Sequence, residues 1–132
     1  MSEKLTDKIK FLNKADAEGG LRTKNIFKKS LANKPLITII TATFNSEKYL
    51  EECILSLHKQ KYDNYEHIVV DGGSKDKTLD IIKKYEHKID YWCSAPDKGI
   101  YDAFNIAMKL STGDYLGFLN SDDYFSDEAL EL

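Results

Sequence analysis

Tyr115-Leu-Gly-Phe-Leu-Asn-Ser-Asp-Asp123 is a short apolar run that ends abruptly in a polar, acidic cluster. A buried strand that delivers carboxylates to the edge of a sheet has this pattern. Leu116, Phe118 and Leu119 gain nothing by facing water, whereas Asn120, Asp122 and Asp123 resist burial unless their desolvation is offset. Adjacent carboxylates repel, and a divalent cation relieves that repulsion. Oxygen donors on a strand tip suit Mg²⁺ or Mn²⁺. A polar turn capping a helix that begins near Ser126 explains the same residues, since Asp and Asn favour turns. Both readings stand on this stretch alone.

Working outward, Leu36 to Thr43 is rich in β-branched residues and apolar on both faces, as in a central strand of a parallel sheet. Helical spacing of Tyr49, Leu50, Cys53, Ile54 and Leu57 predicts a helix over Ser46 to Lys59. Glu66 to Asp71 reads as a second strand. Gly72-Gly73-Ser74 follows as a tight connection, and a helix opening at Ser74 or Asp76 carries Leu79, Ile81, Ile82 and Tyr85. Ile89 to Cys93 is a third strand and Tyr101 to Leu110 a third helix, with Gly113 as its C-terminal cap. The order βαβαβαβ predicts a three-layer α/β/α sandwich around a Rossmann-like, mostly parallel sheet.

Pro35 marks a boundary. Residues 1–34 read as a separate helical and basic arm, with a weak apolar stripe at Leu5, Ile9 and Leu12 and basic residues at Lys24, Lys28, Lys29 and Lys34. Those lysines lack interleaved stacking aromatics, and the net charge is -3, so nucleic acid is not an expected partner. A solvated face is the expected role of the lysines. No stretch approaches the ~18 apolar residues of a membrane span. Cys53 and Cys93 lie in apolar periodic segments and make no metal-spacing motif, which fits free buried thiols and a cytoplasmic setting. His58, His67 and His87 read as surface or strand-edge residues.

In an open parallel sheet, ligands bind beyond the carboxyl ends of the strands. Thr41 to Asn45, Asp71 to Ser74 and Asn120 to Asp123 all place polar residues on that edge. The dinucleotide G-x-G-x-x-G turn and the Walker lysine loop are both absent. Phosphates then need another counter-charge, and a cation on Asp122 would supply it.

Four segments in order, Thr38-Ile-Ile-Thr-Ala-Thr-Phe-Asn45, Val69-Val-Asp-Gly-Gly-Ser74, Ala95-Pro-Asp-Lys-Gly-Ile-Tyr-Asp-Ala-Phe-Asn105 and Thr112-Gly-Asp-Tyr-Leu-Gly-Phe-Leu-Asn-Ser-Asp-Asp123, resemble the family 2 glycosyltransferases, bacterial surface-polysaccharide type. The arm's Glu18-Gly-Gly-Leu-Arg-Thr23 is also similar to some members. The resemblance implies the GT-A fold, a nucleotide-diphosphate sugar donor, most often a UDP-sugar, and a saccharide or lipid-linked acceptor. It implies inversion, dependence on Mn²⁺ or Mg²⁺, and a cytoplasmic site of action, with the inner face of the membrane within reach. By this resemblance Thr41, Ala42 and Thr43 line the nucleoside pocket, partly through backbone groups, with Asn45 nearby. Asp71 accepts a hydrogen bond from the base. Gly99 and Asp102 match the next donor-side segment. Asn120 faces the ribose, Asp122 ligates the metal, and Asp123 orients the site. The family's D-x-D begins with Asn here, which removes one negative charge.

The family's general base lies well past the D-x-D segment, and no residue up to Leu132 matches it. The chain therefore reads as the donor-binding part of a transferase, incomplete at its C-terminus. Alternatives are a truncated, non-catalytic nucleotide-binding module and, less well matched, another nucleotide-dependent α/β enzyme. An interrupted sheet would expose an apolar edge and favour self-association. Peripheral attachment to a membrane is compatible with the lipid-linked acceptor.

Overall fold

The computed structural model describes residues 17–96 and 100–121, with the side chains of 100–102 left aside. The expected N-terminal stripe, Asp97 to Gly99, the Asp102 side chain, Asp122, Asp123 and the helix from Ser126 lie outside the described residues.

Five strands form one sheet in the order β1-β4-β3-β2-β5. They are β1 (Ala17–Gly19), β2 (Ile37–Thr43), β3 (Tyr65–Asp71), β4 (Tyr91–Ser94) and β5 (Tyr115–Phe118). β2, β3, β4 and β5 run parallel, and β1 joins β4 antiparallel. Helices α1 (Leu50–His58) and α2 (Thr78–Lys84) cover one face, and α3 (Ile100–Leu110) covers the other. The expected three-layer, mostly parallel sandwich is the observed one.

Alternation along the strands builds the two cores. Ile37, Ile39 and Val69 pack with Leu50, Ile54, Leu57 and Ile82. Ile40, Ile68 and Val70 pack on the opposite face with Ala103, Ala107 and Leu110. Each Val, Leu or Ile side chain fully buried in these cores contributes about 1.5–3 kcal/mol.

Four expectations need correction. The arm is not a separate layer from Ala17 onward. β1 completes the sheet, and Leu21 and Arg22 donate their amide N–H groups to Ile89 O and Asp90 O, at 3.0 and 2.8 Å. His67 is not at an edge. It sits in β3 between β2 and β4, is fully buried, and shares a 2.8 Å hydrogen bond between its Nε2 and Thr41 Oγ1. Burial, reinforced by the positive His58 and Lys28, lowers its pKa to about 3. Gly113 is retained for space, since its φ is not positive. A Cβ there would lie 2.7 Å from Thr38 N, where β2 and the α3–β5 connection touch.

The first helix also starts later than its apolar spacing predicts. Asn45 has φ 48°, in the left-handed region. The amides of Asn45, Ser46 and Glu47 bond to Ser74 Oγ, Thr78 Oγ1 and Asp76 Oδ2 on the neighbouring loop. These cross-links occupy donors at the loop, and regular helix begins only at Leu50.

Candidate functional site

The strand order runs from β2 through β3 to β4 in one direction and reaches β5 on the other side of β2. Strand order therefore reverses between β2 and β5, which is where an open α/β sheet leaves a crevice at its carboxyl edge. An open cleft of about 470 Å³ lies there, lined by Ala42, Asn45, Ser46, Lys48, Tyr49, Asn120 and Ser121.

The residues expected at the site divide into two groups. Ala42, Asn45 and Asn120 line the cleft. Thr41, Thr43 and Asp71 are buried behind it, with Thr41 bonded to His67 and Thr43 Oγ1 donating to Asp71 Oδ1 at 2.6 Å. Alternation explains this division: Thr41, Thr43 and Asp71 share the sheet face with His67, under α1 and α2, while Ala42 turns the other way. Gly99 and Asp122 lie outside the described residues, and Asp102 is placed only as a residue of the first turn of α3.

Asp71 holds the edge together. Its carboxylate is 1% exposed and accepts five hydrogen bonds. Oδ1 receives Thr43 Oγ1 and Ser74 Oγ, the latter at 2.5 Å. Oδ2 receives Gly73 N at 3.1 Å, Ser74 N at 2.9 Å and Ser94 Oγ at 2.8 Å. One carboxylate thus joins the ends of β2, β3 and β4. Gly73 takes φ 87° to turn its amide onto Asp71, a conformation open to glycine and strained for other residues.

A second tier extends these bonds toward the cleft. Ser74 Oγ also accepts from Asn45 N at 2.8 Å, and Asn45 Oδ1 accepts from Lys75 N at 2.8 Å. Ser121 Oγ donates to Ser46 Oγ at 2.9 Å, which ties the end of β5 to the β2–α1 loop. The cleft wall is therefore positioned through Ser46, Ser74 and Ser121. From sequence, Ser46 only begins a predicted helix, and Ser74 only opens another and closes a family segment. Small polar residues after strands were the available signal, but they resemble ordinary turn residues. Phe44, at the end of β2, is 61% exposed.

The lining offers one cation, Lys48, together with amides and hydroxyls. Among the described residues no group of three or more His, Cys, Asp or Glu is placed to hold a metal. The oxygen donors of Asn120, Ser121 and Ser46 are compatible with Mg²⁺ or Mn²⁺ and unsuited to a soft metal. Asp122 is the next residue in sequence after Ser121.

Comparison with known proteins agrees with this geometry. An uncharacterized glycosyltransferase of Haemophilus influenzae is 38% identical over 102 residues, covering 75% of this chain and 41% of its own length. Poly(ribitol-phosphate) β-N-acetylglucosaminyltransferase TarS of Staphylococcus aureus is 37% identical over 99 residues, covering 71% of this chain and 17% of TarS. The crystal structure of TarS 1–349 in complex with UDP-GlcNAc aligns with TM-score 0.66 and 36% identity, over 72% of this chain and 29% of that one. Mannosyltransferase PcManGT from Pyrobaculum calidifontis, in complex with GDP-Man and Mn²⁺, aligns with TM-score 0.66 over 79% of this chain and 33% of that one, and at 21% identity it speaks for the fold alone. The chain thus spans well under half the length of these relatives. The fold is that of GT-A nucleotide-sugar transferases. Residues 38–132 match the model for glycosyl transferase family 2, and the chain belongs to that family.

Proposed function

We propose that this chain forms the donor-binding part of an enzyme that transfers a sugar from a UDP-sugar to a saccharide or lipid-linked acceptor, with inversion at the anomeric carbon. The observation that carries the reading is the cleft at the strand-order reversal, walled by Ala42, Asn45, Asn120 and Ser121 from two of the four family segments. TarS, whose structure was solved with UDP-GlcNAc, supports a uridine nucleotide.

In this reading the nucleoside lies against Ala42 and the backbone of Thr41 and Thr43, with Asn45 alongside. Asn120 bonds the ribose. Asp71 reads the base only by exchanging one of its five protein donors for a base N–H, and the rotatable hydroxyls of Thr43, Ser74 and Ser94 are the exchangeable ones. Gly99 and Asp102 complete the donor side. Lys48 stands at the cleft to offset diphosphate charge. Asp122 would hold Mn²⁺ or Mg²⁺, which when bound stabilises the leaving diphosphate. The buried thiols Cys53 and Cys93 suit a reducing, cytoplasmic setting. No helix among the described residues is long and apolar enough to cross a membrane.

Calorimetric titration with UDP, with and without Mn²⁺, tests the reading beside Asp122→Asn. The expected result is binding that strengthens at least about tenfold with Mn²⁺ and loses that gain in Asp122→Asn. A folded chain that binds no UDP in either condition would refute it.

A further inference from the structure

The segment from Leu21 to Lys34 carries Arg22, Lys24, Lys28, Lys29 and Lys34 and no acidic residue. The whole chain has net charge -3, so everything outside these five cations sums to -8. Two of the cations serve the fold. Arg22 pairs with buried Glu66 at 2.6 Å, and Lys28 pairs with buried Asp90 at 3.1 Å. Lys34 meets the exposed Asp63 at 2.5 Å. Lys24 and Lys29 have no ion-pair partner among the described residues.

The same segment exposes three large apolar side chains, Ile26 at 48%, Phe27 at 44% and Leu31 at 57%. It is not a loose tail. Lys28 Nζ donates to Tyr65 O at 3.0 Å, and Asn64 Nδ2 donates to Lys29 O at 3.0 Å and Lys34 O at 2.7 Å. Leu31 and Lys34 exchange two backbone bonds of 3.1 Å, closing a tight turn. The backbone is thus fixed to the protein while the apolar side chains face solvent. That ordering is already complete, so burying these side chains elsewhere costs little further backbone entropy.

Exposed apolar side chains beside lysines that have no ion-pair partner among the described residues, on a chain that is otherwise acidic, match the interface of an anionic bilayer. The apolar groups enter the headgroup–acyl boundary, and each lysine near the surface adds about 1 kcal/mol, or roughly fivefold. We propose that the Lys24–Lys34 segment is a membrane-docking surface for anionic lipid. It adjoins Tyr65 and Asn64, at the amino end of β3, whereas the cleft opens at the carboxyl ends of β2 and β5. Docking there leaves the cleft open to solutes.

Cosedimentation of the full chain with vesicles tests this directly. The expected result is partitioning onto phosphatidylglycerol-containing vesicles, little onto pure phosphatidylcholine, and release by salt. Phe27→Ser/Leu31→Ser and Lys24→Glu/Lys29→Glu should each lower partitioning by about tenfold or more. Circular dichroism confirms that both variants are folded. No partitioning, equal partitioning onto neutral vesicles, or partitioning unchanged in both folded variants would overturn the proposal. A concentration-dependent dimer abolished by Phe27→Ser/Leu31→Ser, without vesicle binding, would overturn it in favour of a second copy as the occupant.

Discussion

Glu66 and Asp71 stand at opposite ends of β3, five residues apart, each 1% exposed and each saturated with donors. Their partners differ. Glu66 Oε2 meets the Arg22 guanidinium at 2.6 Å, and its remaining bonds come from Thr38 Oγ1, Thr112 N and Thr112 Oγ1. Burial raises the Glu66 pKa, but Arg22 and these donors outweigh it, and the net shift is downward. Asp71 receives only neutral N–H and O–H groups, all from the strand ends and the Gly72–Ser74 turn. The amino end of the sheet is closed by an ion pair, with Arg22 also bonding Leu110 O at 2.7 Å. The carboxyl end keeps its carboxylate without a cation among these partners. A strand that ends in charge compensation serves stability. One that ends in a carboxylate held only by neutral donors keeps its negative charge without a cation among its partners.

The largest effect should come from breaking the closed end. Arg22→Ala strands Glu66 as an unpaired buried charge, and urea unfolding should register a loss of about 3–5 kcal/mol. Arg22→Ala/Glu66→Gln should recover part of it; no recovery would mean that Arg22 acts mainly through Leu110 O.

The open end should be next. Asp71→Ala leaves five donors to find other partners, with an expected loss of roughly 2–4 kcal/mol. Asp71→Asn should lose less stability, because its amide oxygen still accepts. A large loss of UDP affinity in Asp71→Asn, with most stability kept, would separate a binding role from the structural one. Equal proportional losses would make Asp71 a brace alone.

The smallest effect is that of one pH unit. His67 titrates near 6.5 in the unfolded chain and near about 3 in the fold. Between those values the unfolded state binds more protons, so the contribution is complete above about 6.5 and is lost as pH falls toward about 3. The loss is at most about 1.4 kcal/mol per pH unit. Melts between pH 6.5 and 5.5 should fall for the native chain and flatten in His67→Gln. Glu66, with its lowered pKa, adds a loss in the same direction at lower pH, and Asp90, raised by burial, opposes it. A slope that persists in His67→Gln would assign the acid sensitivity to another group.

Elements whose signal is local were legible in sequence. The β-branched run of β2, the helical spacing of α1 and the strand tip at Asn120 each depend on a few neighbouring residues, and each was found within a few positions. Arg22 was missed because its partner is 44 residues away, and a charged residue in a polar stretch reads as solvated until the fold brings a carboxylate to it. His67 was misread for a related reason. Alternation places it inward, but which strand is central depends on pairings that no single segment contains. Leu116 and Phe118, expected to be buried, are 46% and 49% exposed, because β5 pairs only with β2 among the described strands, whereas Leu119 is buried as expected.

The sequence by itself determined the α/β class, the order of the elements, the family segments and the edge where their polar residues gather. Those follow from periodicity and short-range turn chemistry, which act between residues close in the chain. Only the tertiary structure decided which of the gathered residues line the cleft and which lie buried behind it. It also decided that Ser46, Ser74 and Ser121 position the wall and that β1 completes the sheet. The physical reason is that a polar side chain's role is fixed by the donors and acceptors packed against it, and for Asp71 and Arg22 these come from segments far apart in the chain.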